Sequence, residues 1–206
     1  MEAGTHMFTL LLIFFYVVIA AAGIFILGLL ITLFVERSPY QQMFVRGNAP
    51  NPPPDGFYPG EAHVLFDKRT PWLGKSFDSQ AKIGFNVFTP LGARILKFLS
   101  PFYQKFSRNE EGNTRAYYFR TYTGKGEKDS NIEVFKLDYD LAENPFWIRI
   151  ILDEIIEIAP QQYLGKIHLK ILPGFYATIG YFGLLKQTAS DLAFDRSAVG
   201  NRAAIR

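Results

Sequence analysis

Hydrophobic and polar positions fall into three regimes along the chain. Residues 7–34, MFTLLLIFFYVVIAAAGIFILGLLITLF, carry no charged side chain. At ~1.5 Å per residue such a run makes a helix of ~42 Å, longer than the ~30 Å hydrocarbon core of a bilayer. The pattern predicts a transmembrane helix over residues 7–35, spanning with tilt or with its ends among the headgroups. A cleavable signal sequence has a basic start and an apolar core of roughly 7–15 residues. The leader MEAGTH has neither Lys nor Arg, so an anchor is expected instead. Next comes GNAPNPPPDGFYPGE, residues 47–61, with five prolines and three glycines. That composition opposes helix and discourages sheet. Residues 36–60 are therefore expected to form an extended connector, stiffer than a Gly/Ser linker.

The third regime alternates. Strands are predicted over 61–66, 82–89, 115–123, 132–139, 162–172 and 175–185. The third and fourth are joined by the turn-rich GKGEKDSN, which suits a hairpin. In 132–139, Ile132, Val134, Lys136 and Asp138 share one face, and Glu133, Phe135, Leu137 and Tyr139 the other. Asn144 and Pro145 suit a helix start, and the spacing predicts a helix from 145 to about 152, then a strand to Ala159. In 162–172, Tyr163, Gly165, Ile167, Leu169 and Ile171 alternate with Lys166, His168 and Lys170, which places His168 toward solvent. About seven sequential strands with tight connections predict an antiparallel meander, and closure would remove its free edges. The fold class expected is a single-pass anchor plus a small β-barrel or curved sheet over 61–186, with one or two short helices. A polar tail, 187–206, follows.

Three segments carry a resemblance. Trp72-Leu73-Gly74-Lys75-Ser76-Phe77, then Leu137-Asp138-Tyr139-Asp140 with Asn144-Pro145, then Leu152-Asp153-Glu154-Ile155 with Tyr163-Leu164-Gly165, together resemble an uncharacterised bacterial domain family with the same order of short motifs. The resemblance covers about residues 70–185. In strand succession the chain also resembles lipocalin-like barrels, without a G-x-W signature. The resemblance implies a fold and no enzymatic activity. In topology alone, one span followed by a cytoplasmic β domain is similar to the H subunit of purple-bacterial photosynthetic reaction centres.

Charge and composition narrow the chemistry. With no cysteine, disulfides, thiolate metal sites and Cys nucleophiles are excluded. A formal net charge of +3 is too small to imply nucleic acid. No Lys or Arg precedes the span, whereas Arg37 and Arg46 follow closely and Lys68 and Arg69 come later. The positive-inside bias then predicts an inner-membrane protein with its N-terminus outside and its domain in the cytoplasm. Ala20, Ala21, Ala22, Gly23 and Gly28 would let another helix approach closely, or simply reflect the composition of membrane helices.

The acidic residues Asp138, Asp140, Asp153, Glu154 and Glu157 could serve acid–base chemistry or a metal. With Arg149 and Lys166 nearby, the set Arg149, Asp153 and Glu154 reads better as a structural ion-pair network. His6, His63 and His168 show no metal-ligand spacing, and Gly124-Lys125-Gly126 lacks the context of a phosphate loop. No enzyme, no metal site and no cofactor held by the chain's own ligands is expected. The basic segment 92–108 places Ile95, Leu99, Phe102 and Phe106 on one helical face and Arg94, Lys97, Lys105 and Arg108 on the other, with a kink at Pro101. With Phe98 and the small residues Ala20, Gly23 and Gly28, it is a candidate membrane or partner contact; the alternative is a helix packed on the barrel. Inside a barrel, Phe85, Tyr118, Phe119, Phe135, Tyr139, Tyr163, Phe175 and Tyr181 would line a site for a lipid, quinone or pigment, or simply fill the interior. Two functions follow as expectations. The first is a non-catalytic accessory subunit of a larger respiratory or photosynthetic membrane complex, its partners other subunits and membrane lipids, with lipid or pigment contacts and no nucleic acid. The second is a membrane-anchored lipocalin-like binding module.

Overall fold

The structure, a computed structural model, describes residues 2–63, 70–109 and 111–186. An unbroken helix, α1 (Glu2–Val35), follows from the uninterrupted apolar run. Its segment His6–Val35 is long and apolar enough to cross a membrane. Residues 6–27 are all exposed, so the other described residues leave this apolar surface uncovered. A short helix, α2 (Pro39–Phe44), begins with Pro39 in its first turn, where the missing N–H costs nothing.

The remaining elements run β1 (Gly56–His63), β2 (Trp72–Asp78), β3 (Ile83–Phe88), α3 (Pro90–Leu99), β4 (Ser107–Arg108), β5 (Thr114–Lys125), β6 (Glu133–Asp138), α4 (Phe146–Arg149), β7 (Ile151–Ala159), β8 (Gln162–Leu172) and β9 (Phe175–Leu185). Strands β1, β2, β3, β5, β6, β7, β8 and β9 pair in that order, all antiparallel, and β9 returns to β1. The result is a closed eight-stranded up-and-down barrel, with β4 added outside against the start of β5.

Several local expectations are corrected. The extended connector is interrupted by α2, and β1 begins at Gly56, inside the Pro-rich stretch. Pro59 fits because it pairs with Gly74, whose φ is +141° and whose Cβ would stand 2.1 Å from the Tyr58 carbonyl oxygen. Only glycine allows that approach. β2 was not anticipated as a strand, because its barrel-facing residues include a lysine, Lys75. Pro101 ends α3 rather than kinking it, and Thr89 caps the start by accepting from the Gly92 N–H at 3.1 Å. The helix expected to reach 152 is a single turn ending at Arg149, since pairing with β6 and β8 claims the following isoleucines for β7. The part of the predicted 61–66 strand beyond His63, Lys68, Arg69 and the tail 187–206 lie outside the described residues.

Two apolar clusters hold the molecule together. Tyr58, Phe77, Phe119, Phe135, Leu137, Ile155, Tyr163 and Leu184 belong to the cluster that fills the barrel. Outside it, Val35 and Phe44 pack with Val134, Ile156, Leu164 and Tyr181, so α1 and α2 are attached along β6–β9. Their path has a direction. Phe25 meets the Phe175 ring at 4.7 Å, Gly28 lies over Ala177, and Thr32 accepts from the Thr178 N–H at 2.9 Å. Tyr40 and Phe44 then lie against Tyr181, and Asn48 bridges to Glu157 near the other end of the barrel. The chain before Phe25 therefore projects past the end that carries the β8–β9 turn, by ~28 Å from Phe25 back to His6 at ~1.5 Å per residue. The ends of β3 and β6, with α3 and α4 after them, lie at that same end.

Candidate apolar ligand site

A cavity of about 330 Å³ opens into the barrel. Its rim includes Pro71, Gly92, Ile95 and Leu96 around α3, Trp147 and Ile148 of α4, and Ile151 at the start of β7. The mouth is thus at the end from which α1 projects. Trp72, Phe88, Tyr117 and Phe182 form walls, and at the floor lie Lys75, Asn86, Tyr139 and Asp153, whose polar atoms turn on one another and leave the cavity surface almost wholly apolar.

The floor is one connected network. Lys75 Nζ is 2.9 Å from Asp153 Oδ2, donates to Asn86 Oδ1 at 2.9 Å and to the Tyr139 hydroxyl at 2.6 Å. Three acceptors saturate one ammonium. Tyr139 in turn donates to Asp153 Oδ2 at 3.1 Å and accepts from Asn86 Nδ2 at 3.0 Å. Trp72 Nε1 donates to Asn86 Oδ1 at 3.0 Å. The lysine also sits among aromatic faces, 4.9 Å from the Phe182 ring centroid and 5.3 to 5.5 Å from those of Tyr139, Phe119 and Trp72, which favours a cation there. Burial nevertheless pushes the Lys75 amine below its ordinary range, and the Asp153 charge and hydrogen bond offset this only in part. Burial, with the Asp153 charge, holds the Tyr139 phenol well above its usual value. Asp153 Oδ1 is buried and has no hydrogen-bond partner among the described residues.

A second polar network lies on the opposite side of the same wall, beneath α1 and α2. Lys166 is fully buried and reaches Asp129 at 2.8 Å, Gln41 at 2.9 Å and Glu36 at 3.1 Å. His168, also fully buried, lies between Glu154 at 3.2 Å and Thr178. Lys136 bridges Glu127 and Glu154. Burial alone would raise the Glu154 carboxyl. The His168 hydrogen bond and charge, the Glu127 N–H and Lys136 outweigh it and hold the group below its ordinary 4.5. Glu36 is likewise lowered, with Lys166, Thr178 and Lys128 outweighing burial. A carboxyl whose folded pKa is depressed contributes stability that is fully present above its unfolded value and lost as pH falls through the folded one. Unfolding by denaturant is therefore expected to be flat with respect to these two groups above pH 4.5 and to grow easier below it. Glu154→Gln should lower stability at pH 7 and flatten that acid slope; an unchanged slope would show that this network does not couple to folding.

The structure separates several residues grouped by sequence. Arg149 pairs with Asp140 at 2.7 Å on the surface, Asp153 with Lys75 inside the barrel, and Glu154 with Lys136 and His168 outside it. They are three pairings rather than one network, because neighbours on a strand point to opposite faces. Asp138 pairs with Arg120 at 2.8 Å. His168 and Lys166 do face away from the barrel interior, but α1 and α2 bury them. Of the proposed lining, Tyr139 lines the cavity, and Phe119, Phe135 and Tyr163 fill the barrel beneath it. Phe85 is on the outer face against Tyr118 and Arg115, Phe175 lies against Phe25 of α1, and Tyr181 lies under α2. Among the proposed contact residues, Ala20, Gly23, Arg94, Lys97 and Lys105 are exposed, Gly28 is covered by β9, and Phe106 is half-buried against Tyr103 and Tyr117. Phe98, Phe102 and Phe146 are 85, 93 and 80 % exposed. Lys75, Asn86, Trp72 and Trp147 were not singled out as lining. For Trp72 and Lys75 the signal was the Trp72–Phe77 segment, in which a lysine sits two residues before a phenylalanine and so shares its strand face.

The fold and cavity define a class: an eight-stranded up-and-down barrel, consistent with a lipocalin-like fold, carrying one long apolar helix. Comparison with family models, with curated proteins and with solved structures gives no match.

Proposed function

We propose that this chain is a membrane-anchored, non-catalytic binding barrel that takes up a small apolar molecule from the bilayer. One observation carries the reading: the apolar cavity opens at the barrel end from which α1 projects. With α1 in the inner membrane and the barrel on the cytoplasmic side, that mouth meets the headgroups. Phe98, Phe102 and Phe146 then reach the acyl boundary, and Arg94, Lys97 and Lys105 lie near lipid phosphates, each worth about 1 kcal/mol with anionic lipid. A cavity of about 330 Å³ is at the small end of the ~300–1,000 Å³ typical of ligand pockets. It suits a ring or short chain segment whose tail continues out through the mouth.

The test uses a convenient property of the chain. Its two tryptophans, Trp72 and Trp147, both line the cavity. Titrating the full chain in detergent micelles with a small apolar probe should shift or quench tryptophan emission saturably. A flat response, together with native mass spectrometry showing no retained apolar molecule, would overturn the reading.

A second reading is favoured by the uncovered surface of α1 and the exposed phenylalanines of the mouth. It makes the chain an accessory subunit of a larger membrane complex, perched on a partner through the same surfaces. Gentle solubilisation and pull-down should then recover stoichiometric membrane partners, and a monomer recovered alone would exclude it.

A further inference from the structure

We infer that the cavity takes a lipid chain methyl end first, with the polar headgroup left outside at the α3 lip. The ligand class is then a chain amphiphile of the bilayer, held by its hydrocarbon end. The inference rests on the binding-barrel reading and names its ligand class.

The floor is closed to polar contact. The Lys75 ammonium gives its three N–H groups to Asp153, Asn86 and Tyr139. The Tyr139 proton goes to Asp153 Oδ2, the Asn86 amide donates to Tyr139 and to the Tyr117 carbonyl, and the Trp72 N–H goes to Asn86. The remaining oxygen, Asp153 Oδ1, is itself sealed from water. A headgroup or hydroxyl driven to this floor would lose its hydration and find no partner, which is costly. The terminal methyl of a lipid chain is the one end of the molecule that gives up no hydrogen bond. An apolar cavity stays dry, and an apolar guest gains the contacts that its walls lack.

The approach to the cavity is apolar as well. Ile95 of α3 lines the cavity and is also 46 % exposed, so it joins the inner surface to the outer one. Leu91, Phe98 and Leu99 continue it along the same helical face, all exposed. Arg94 and Lys97, exposed on the same helix, stand beside this stripe. With the mouth against the headgroups, a lipid whose head stays near Arg94 and Lys97 keeps both its hydration and its counter-charge. Its chain turns into the barrel and exchanges one hydrocarbon surrounding for another. No polar group crosses an apolar region on the way.

The test uses the full chain in nanodiscs of phosphatidylcholine and phosphatidylglycerol. Trp147→Phe leaves Trp72, hydrogen-bonded at the floor, as the single tryptophan. Three brominated probes are titrated, bromine being a short-range quencher of indole. They are a lysophosphatidylglycerol with bromine at the chain terminus, its isomer with bromine beside the headgroup, and bromooctane, which has no headgroup. The terminal isomer is expected to quench Trp72 saturably, and the isomer brominated beside the headgroup to leave its emission unchanged. For a tryptophan held above the headgroups, mere proximity to the bilayer gives the opposite order. Circular dichroism confirms that the variant is folded. A second measurement needs no substitution: plain and terminally hydroxylated lysolipids compete against bromooctane on the wild-type chain, and the hydroxyl should weaken competition about 10- to 100-fold. Stronger quenching by the headgroup-side isomer, quenching by bromooctane alone, or equal competition by the two lysolipids would overturn the inference while leaving the barrel a binding protein. Quenching by none of the three probes would overturn the binding-barrel reading itself.

Discussion

Lys75→Ala should destabilise the barrel by about 3–5 kcal/mol, the cost of leaving a buried carboxylate without its counter-charge. Asp153 and Lys75 side chains are each 4 % exposed and 2.9 Å apart, so the carboxylate left behind stays largely out of water. Removing the amine also takes one of two donors from Asn86 Oδ1, which keeps Trp72, and from the Tyr139 hydroxyl, which keeps Asn86. The pair itself is a different matter from either half of it. Two charges taken out of water lose solvation that their attraction only partly restores, and apolar replacements of similar volume are often no less stable. Lys75→Met combined with Asp153→Leu should therefore recover most of the loss seen in Lys75→Ala. Urea unfolding followed by far-ultraviolet circular dichroism measures both. If the double variant were as unstable as the single one, the pair would be a net source of stability rather than a feature kept for binding.

Phe182→Ala should cost about 3–5 kcal/mol, as large-to-small changes of buried aromatics do, and should enlarge the cavity. Phe182 is 2 % exposed. Its ring meets Trp72 edge-on at 5.7 Å, lies 4.9 Å from Lys75 Nζ and covers Gly165, its partner across β8 and β9. A Cβ on Gly165 would stand 2.1 Å from that ring, so the glycine exists to admit the phenylalanine. Gly165→Ala alone should cost about 1–3 kcal/mol by overpacking. In the Phe182→Ala background the clash is gone, and the second change should cost far less than it does alone. Strict additivity in that double-mutant cycle would disprove the packing described. Phe182→Ala should also alter emission from Trp72, since one face of the indole loses its neighbour.

Much of this architecture was legible because strand and helix periods are local. The uncharged run 7–34 specifies a long apolar helix whatever surrounds it. Alternation through 115–123, 132–139 and 162–172 located β5, β6 and β8 closely, because each has one face against an apolar core. Succession with short connections pointed to a closed meander, and the barrel is that. β2 escaped detection for the opposite reason: Lys75 points inward, so the strand lacks the pattern that marks strands.

What the sequence could not determine was the identity of the second covering layer and the meeting of distant polar residues. Lys166 and His168 alternate correctly with the barrel-facing residues of β8, but only the return of α1 and α2 over β7–β9 makes their side buried rather than wet. Arg149, Asp153 and Glu154 are near one another in sequence and apart in space. Lys75, Asn86, Tyr139 and Asp153 are spread over four strands or their ends, and closure of the barrel alone brings them to one cavity floor. A strand's own residues decide which face each side chain takes. Pairing order, register and closure decide what that face looks at, and those depend on contacts between segments that sequence periodicity, a nearest-neighbour signal, does not carry.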